Sequence, residues 1–265
     1  RGIRSYYKNC PVKRSLKAPF ELNLYTTTKC NLDCIFCYLP SEVRQNYAPS
    51  RMNLEVLFEF LNEALEEEVF AINFLGGEPF AYPEIITDVI ERFAGKFVIN
   101  VTTNGTTIPT SNCRLLENLA RPGVDVKFSI HSSISERHDA IVRAPGAWAK
   151  SMHNANLLID RGIRIAIQMT LTKYSDEEDV FSLLEIAKTM GAIGFFVSVP
   201  FPGPHMSLTD YADLVIPPTE LGTVAHRLNE SRKKSGDNFC VYPQGMYIFV
   251  HEKASPSFES PLDVY

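Results

Sequence analysis

The chain has 265 residues, 45% hydrophobic and 22% charged, with a net charge of −5 and a pI near 5.7. Such a composition fits one large α/β domain or two small ones, and its acidic balance argues against a broad nucleic-acid footprint, which would need a basic face. No apolar run approaches the ~18–20 residues that cross a bilayer, and six cysteines, three of them clustered, point to cytosolic metal chemistry and not to a disulfide scaffold. A cytoplasmic location follows as an expectation. Arg1-Gly2-Ile3-Arg4 offers no signal-peptide apolar region and no initiator Met, so the numbering is expected to begin inside a longer natural chain.

Residues 1–19 are basic and irregular and read as an N-terminal strap, with Cys10 as an inert thiol or a distant ligand. Phe20–Tyr25 alternates and reads as the first strand. It leads into Cys30-Asn31-Leu32-Asp33-Cys34-Ile35-Phe36-Cys37-Tyr38, three thiols in one loop. Thiolates are soft ligands suited to zinc, copper(I) or iron–sulfur clusters. A structural zinc site closes with four ligands, whereas a site that does chemistry keeps a position open. No fourth Cys or His lies nearby in the sequence, so the set reads as a metal site whose fourth position is filled from far away or left for a substrate; three buried thiols packing as small apolar groups is the bland alternative.

Ser41–Ser50 is polar and reads as a loop. From Asn53, a candidate N-cap, Leu54, Leu57, Phe58, Leu61 and Leu65 recur at helical spacing. The apolar run 69–75 is expected to be a strand buried on both faces. Helices then read over Pro83–Phe93, Cys113–Leu119, Trp148–Ile159 and Glu177–Met190, and strands over Phe97–Val101, Val124–Ile130, Ile163–Leu171 and Ile193–Val199. The alternation repeats about six times, the signal of a parallel sheet with crossover helices. An open doubly wound sheet and a barrel both fit, but the Gly-x-Gly-x-x-Gly fingerprint of dinucleotide-binding sheets is absent. Beyond Val199, Pro200–His205 is a loop, Leu221–Arg232 a helix, and Cys240–Val250 strands or a hairpin around Gln244-Gly245.

In a parallel barrel the working residues sit at the C-terminal strand ends. The second strand ends in Gly76-Gly77-Glu78-Pro79, where glycines permit close backbone approach and a carboxylate follows; a tight turn would explain the glycines equally well. The third ends in Thr103-Asn104-Gly105, a common turn pair. After the fourth come Ser129, His131, His138-Asp139 and Arg143, and a strand-end hydroxyl followed by an arginine suits a carboxylate clamp. Gln168 and Thr170 share one face of the fifth strand, and Ser198 and Val199 close the sixth.

These motifs, in this order, resemble the radical S-adenosylmethionine (SAM) enzymes, over about Glu21 to Val199. The resemblance implies an α/β fold, a partial (β/α)6 TIM-type barrel over residues 20–235, with a short C-terminal extension, 236–265. It implies that Cys30, Cys34 and Cys37 hold a [4Fe-4S] cluster whose fourth iron is chelated by SAM, with Phe36 at the motif's aromatic position. Glu78 with Gly76 and Gly77 would receive the SAM amino group, Ser129 and Arg143 its carboxylate or ribose, and Gln168 the ribose hydroxyls; backbone at Ser198 and Val199 would pass the adenine. Asn104 or Thr103 could face the cofactor. His131 departs from the Asp that many relatives carry there. One electron delivered to SAM would yield a 5′-deoxyadenosyl radical that abstracts hydrogen from a substrate. A donor such as flavodoxin or ferredoxin is implied as a partner.

The motif set lies nearest the SPASM or twitch branch, so the expected reaction is hydrogen abstraction from a peptide or protein side chain in ribosomal peptide maturation. Action on a small molecule in cofactor, tetrapyrrole or nucleotide biosynthesis is the enzyme alternative, and a zinc-binding interaction module the non-enzyme one. Only Cys240 follows the barrel, so a full auxiliary cluster site cannot be assembled from these residues; the extension is a remnant, or the chain lacks segments of the natural protein. Tyr47, His205, Asp210 and Tyr211 are candidates for auxiliary transfer, with no sequence argument to select among them.

Overall fold

The computed structural model describes residues 18–46, 52–234 and 239–244. In it, seven parallel strands lie side by side in chain order: β1 (Glu21–Tyr25), β2 (Ala71–Leu75), β3 (Val98–Thr103), β4 (Val124–Ser129), β5 (Ile165–Thr170), β6 (Gly194–Ser198) and β7 (Cys240–Gln244). A doubly wound sheet reverses its strand order at a switch point; this order never reverses. With right-handed crossovers, that places the connecting helices on one face and leaves the other as an inner wall. The order runs from β1 to β7 without joining them, so the barrel is partial and open.

Among the described residues the helices are α1 (Ser41–Asn46), α2 (Leu54–Glu66), α3 (Pro83–Phe93), α4 (Cys113–Leu119), α5 (Ser135–Val142), α6 (Ala147–Asp160), α7 (Glu177–Thr189), α8 (Leu208–Ala212) and α9 (Pro218–Lys234). Asn53 caps α2 as expected, its side chain accepting from the backbone N–H of Glu55 at 2.9 Å. β4 alternates strictly: Val124, Val126 and Phe128 are buried in the main core with the helices, while Asp125, Lys127 and Ser129 are half-buried on the inner wall.

Four local expectations change. Residues 41–46 form α1 and not a loop; its sequence, Ser-Glu-Val-Arg-Gln-Asn, carries too little apolar periodicity to read. Ser135–Val142 and Leu208–Ala212 are helical, where loops were expected. Cys240–Gln244 is a strand that pairs parallel to β6, in register Phe196↔Tyr242, and adds a seventh strand; the residues of the expected hairpin beyond Gln244 lie outside the described residues. Cys10, Tyr47, Gly245 and nearly all of the expected strap and tail lie outside the described residues.

Candidate active site at the strand ends

The site is built on the backbone that follows β1. The chain continues beside the end of β2: the N–H of Gly77 donates to the Thr27 carbonyl at 2.8 Å, and that of Glu78 to the Lys29 carbonyl at 2.8 Å. The contact is so close that a Cβ on Gly77 would lie 2.2 Å from the Lys29 oxygen, and one on Gly76, at φ +137°, 2.3 Å from the Thr27 oxygen. Glycine is therefore required here by the approach of the cysteine loop's own stem.

The loop's other side rests on α5. The backbone N–H groups of Asp33 and Ile35 donate to the carbonyls of Val142 and Ile141, using acceptors that a helix C-terminus leaves without intrahelical partners. Leu32, Ile141, Val142 and Ala147 form a second, small apolar core, against which Cys30, Cys34, Ile35 and Phe36 pack. Asp33 sits between two arginines. Arg44 of α1, only 6% exposed, pairs with one of its carboxylate oxygens and donates to the Leu32 carbonyl at 2.9 Å; Arg143 meets the other oxygen at 3.0 Å. Burial would raise the Asp33 pKa, but the two guanidinium groups prevail and hold it below the usual carboxylate value.

Glu78 is 2% exposed and binds the ends of two strands together. One carboxylate oxygen accepts from Thr103 Oγ1 at 2.7 Å and Phe80 N at 3.0 Å, the other from Asn104 N at 2.9 Å. Burial pushes its pKa up against the pull of these donors. Asn104, so placed, donates through its side-chain amide to Asn31 Oδ1 at 2.9 Å and towards Cys30 Sγ at 3.8 Å. Asn31 Nδ2 donates to Thr106 Oγ1, and Thr106 Oγ1 to Asn104 Oδ1, which closes a ring of three side chains beside the first cysteine.

The three thiols are half-buried and unbridged. Burial raises the pKa of Cys30 and Cys34, and for Cys34 repulsion from the other two thiolates adds to it. A cationic cluster core would offset that cost, since bound thiols are deprotonated. Among the described residues no three His, Cys, Asp or Glu side chains converge on a point where one metal ion would be held. A one-ion zinc site requires such convergence, whereas a four-iron cube takes each thiolate on a different iron. Three soft thiolates in one loop suit a [4Fe-4S] cluster, in which each would take a different iron.

The remaining expected residues divide. Phe36 lies edge-on to His131, with ring centroids 4.8 Å apart. His131 is buried, its Nδ1 accepting from Thr170 N at 3.1 Å and its backbone N–H donating to His138 Nδ1 at 3.0 Å. Ser129 and Gln168 are cross-strand partners on the inner wall. Val199 packs against the main core. Arg143 faces the cysteine loop through Asp33 and adopts the left-handed conformation, φ 53°, as the residue that ends α5. Asp210 is engaged in the capping box of α8, and the Tyr211 hydroxyl donates to the Pro200 carbonyl at 3.2 Å, so both have structural work; His205 is exposed. Asp33 and Arg44 were missed as site residues, because only the tertiary pairing reveals them.

A family model described as the Radical SAM superfamily matches residues 24–187, more than half of the chain. The PqqA peptide cyclase of Granulibacter bethesdensis is 26% identical over 182 residues, covering 67% of this chain and 46% of its own length. The AdoMet-dependent heme synthase of Methanosarcina barkeri is 25% identical over 222 residues, covering 82% of this chain and 60% of its own. In fold, the chain is similar to Streptococcus suis SuiB bound to its precursor peptide SuiA, with a TM-score of 0.72 at 19% identity, over 92% of this chain and 53% of that one. The chain thus spans about half to three fifths of the length of these proteins. No helix among the described residues is long and apolar enough to cross a membrane.

Proposed function

This chain belongs to the radical SAM superfamily, whose enzymes use a [4Fe-4S] cluster and SAM, and we propose on that premise that it abstracts hydrogen from a side chain of a peptide or protein. When bound, the cluster and SAM supply a one-electron reductive cleavage that generates a 5′-deoxyadenosyl radical. Everything else falls to the chain. Cys30, Cys34 and Cys37 would hold three irons. The turn at Gly76–Glu78 and the Ser129 and Arg143 pair would receive the two ends of the methionine moiety, and Gln168 and the Val199 backbone the nucleoside. A flavodoxin or ferredoxin would deliver the electron.

The observation that carries the cofactor assignment is the backbone pairing of the cysteine-loop stem with Gly77 and Glu78, which brings the expected metal and SAM-amino segments into one unit. The peptide reading draws support from the PqqA peptide cyclase and from the likeness to a SuiB–SuiA complex. The heme synthase match favours a small molecule as the second reading.

Anaerobic reconstitution tests the first part. Protein with about four irons and four sulfides per chain, and 5′-deoxyadenosine formation lost in Cys34→Ala, is the expected result. A colourless chain carrying one tight zinc, or Cys34→Ala that still cleaves SAM, would refute it. For the second part, a deuterated substrate peptide is expected to pass its label into 5′-deoxyadenosine; transfer only from a small molecule would move the assignment to the second reading.

A further inference from the structure

The inner wall of the open sheet carries a charge that the proposed cofactor contacts do not use. Cross-strand register sets out its rows: Lys127–Ala166–Gly194–Cys240, and above it, towards the strand ends, Ser129–Gln168–Phe196–Tyr242. In a closed eight-stranded barrel such rows interdigitate and fill the interior. Here the sheet is open, and Lys127, Ser129, Gln168, Phe196 and Tyr242 are all half-buried.

Lys127 is held on an aromatic floor. Its ammonium lies 5.1 Å from the centroid of the Phe196 ring, within the range of a cation–π contact. The ring lies over Gly194, where a Cβ would come within 3.2 Å of it, and continues to Tyr242 at 6.0 Å between centroids. Among the described residues this ammonium has no hydrogen bond and no ion pair. The groups facing it are Glu21, Asp125 and Cys240. Asp125 is already paired, to Arg164 at 2.6 Å, and Glu21 is exposed on the edge strand. Burial disfavours the charge and lowers the Lys127 pKa, although these three groups oppose the shift. Neither carboxylate is in hydrogen-bond contact with the ammonium, and a half-buried cation held in this way gains from a ligand that makes such a contact.

We propose that Lys127, seated on Phe196, binds a carboxylate of the substrate: an acidic side chain or a C-terminal carboxylate entering the open barrel beneath the cofactor. Lys127 lies two residues deeper on β4 than Ser129, about 6.6 Å along the strand. That separates it from the row proposed for SAM and leaves it on the wall that faces the interior of the open barrel. The proposal names the substrate class for the peptide reading and rests on it.

The carboxylate could in principle be that of SAM itself, and amine acylation read by mass spectrometry separates the sources. The probes are the blocked tripeptides Ac-Ala-Glu-Ala-NH2 and Ac-Ala-Gln-Ala-NH2, and SAM alone. The Glu peptide is expected to slow acylation of Lys127 by about tenfold, as a charge-assisted contact would, with other lysines unaffected and the Gln peptide and SAM without effect. Equal protection by both peptides, protection by neither, or protection by SAM alone would overturn the proposal. In Lys127→Met the two peptides are expected to bind with the same affinity; a retained preference for Glu would also overturn it. Neither measurement requires turnover. Intact SAM cleavage without Lys127 protection removes this site and leaves the function, whereas protection without SAM cleavage leaves the anion site and removes the function.

Discussion

The side-chain amide of Asn104 points at Cys30 Sγ from 3.8 Å, and Glu78 holds Asn104 there through its backbone N–H. The carboxylate at the end of β2 thus governs a donor aimed at a sulfur proposed to hold the cluster. Hydrogen bonds to ligating sulfur stabilise the more negative, reduced cluster. Asn104→Ala is expected to lower the cluster's reduction potential, measured by a potentiometric titration read by electron paramagnetic resonance. An unchanged potential would remove Asn104 from the cluster's surroundings.

Asp33 between Arg44 and Arg143 braces the cysteine loop. Asp33→Ala would leave the buried Arg44 guanidinium without its anion, at a cost of about 1–3 kcal/mol. A lower melting temperature of the cluster-free protein is the expected readout, with iron retention reduced in parallel. Arg44→Lys is expected to behave almost as badly, since an ammonium cannot serve Asp33 and the Leu32 carbonyl with a planar fork.

What the sequence could and could not reveal follows from the range of the interactions. The strand–helix alternation was legible because each element buries its own apolar face, and the Asn53 cap because it acts within three residues. α5 was not: its charged stretch Ser-Glu-Arg-His-Asp hides a short apolar end, Ile141 and Val142, whose partner is the cysteine loop. β7 contains Pro243, which argues against a central strand, and only its place at the sheet edge accommodates it. The three cysteines announced a metal site, but the ion pair of Asp33 with Arg143 spans 110 residues and has no local signature. The glycines before Glu78 were read for the close approach of a ligand or for a tight turn, and the neighbour that demands them is the chain's own backbone.

Gly77→Ala tests that demand. Its methyl group would meet the carbonyls of Lys29 and Thr28 at 2.2 and 2.5 Å. Backbone offers no rotamer to relieve this, so a loss of about 1–3 kcal/mol or more is expected, seen as a lower unfolding midpoint together with a failure to retain iron. A variant with wild-type iron content and stability would show that the stem and the turn do not need to touch.

Arg143 separates stability from cofactor binding. It is 59% exposed, so its pair with Asp33 contributes less than about 1 kcal/mol. Its left-handed backbone costs a non-glycine residue about 1 kcal/mol. Arg143→Gly is therefore expected to melt close to the wild type while binding SAM at least about tenfold more weakly, as loss of a bidentate carboxylate contact implies. Equilibrium dialysis with labelled SAM provides the check; unchanged affinity would end the clamp assignment.

Buried His138 gives a pH dependence of known sign. Burial lowers its pKa to about 4, from an ordinary 6.5. Between those values the unfolded chain binds the proton and the folded chain does not, so stability rises with pH across this window. The contribution is complete above pH 6.5, is lost as pH falls through the folded value, and amounts to about 3 kcal/mol at most. His131 is shifted in the same direction. Chemical denaturation at pH 4.5 and pH 7 is expected to show the difference in the wild type, and a smaller one in His138→Gln.

The pairing of Gly77 and Glu78 with the stem also bears on how the cysteine loop is held. In a zinc finger the metal arrives first and the fold follows. Here both faces of the cysteine loop are engaged by protein, β2's end on one side and the carbonyls of Ile141 and Val142 on the other. The loop is thus supported on both sides by segments distant from it in the chain, and substitutions at the end of β2 or of α5 are expected to alter the spacing of the thiols without touching a cysteine.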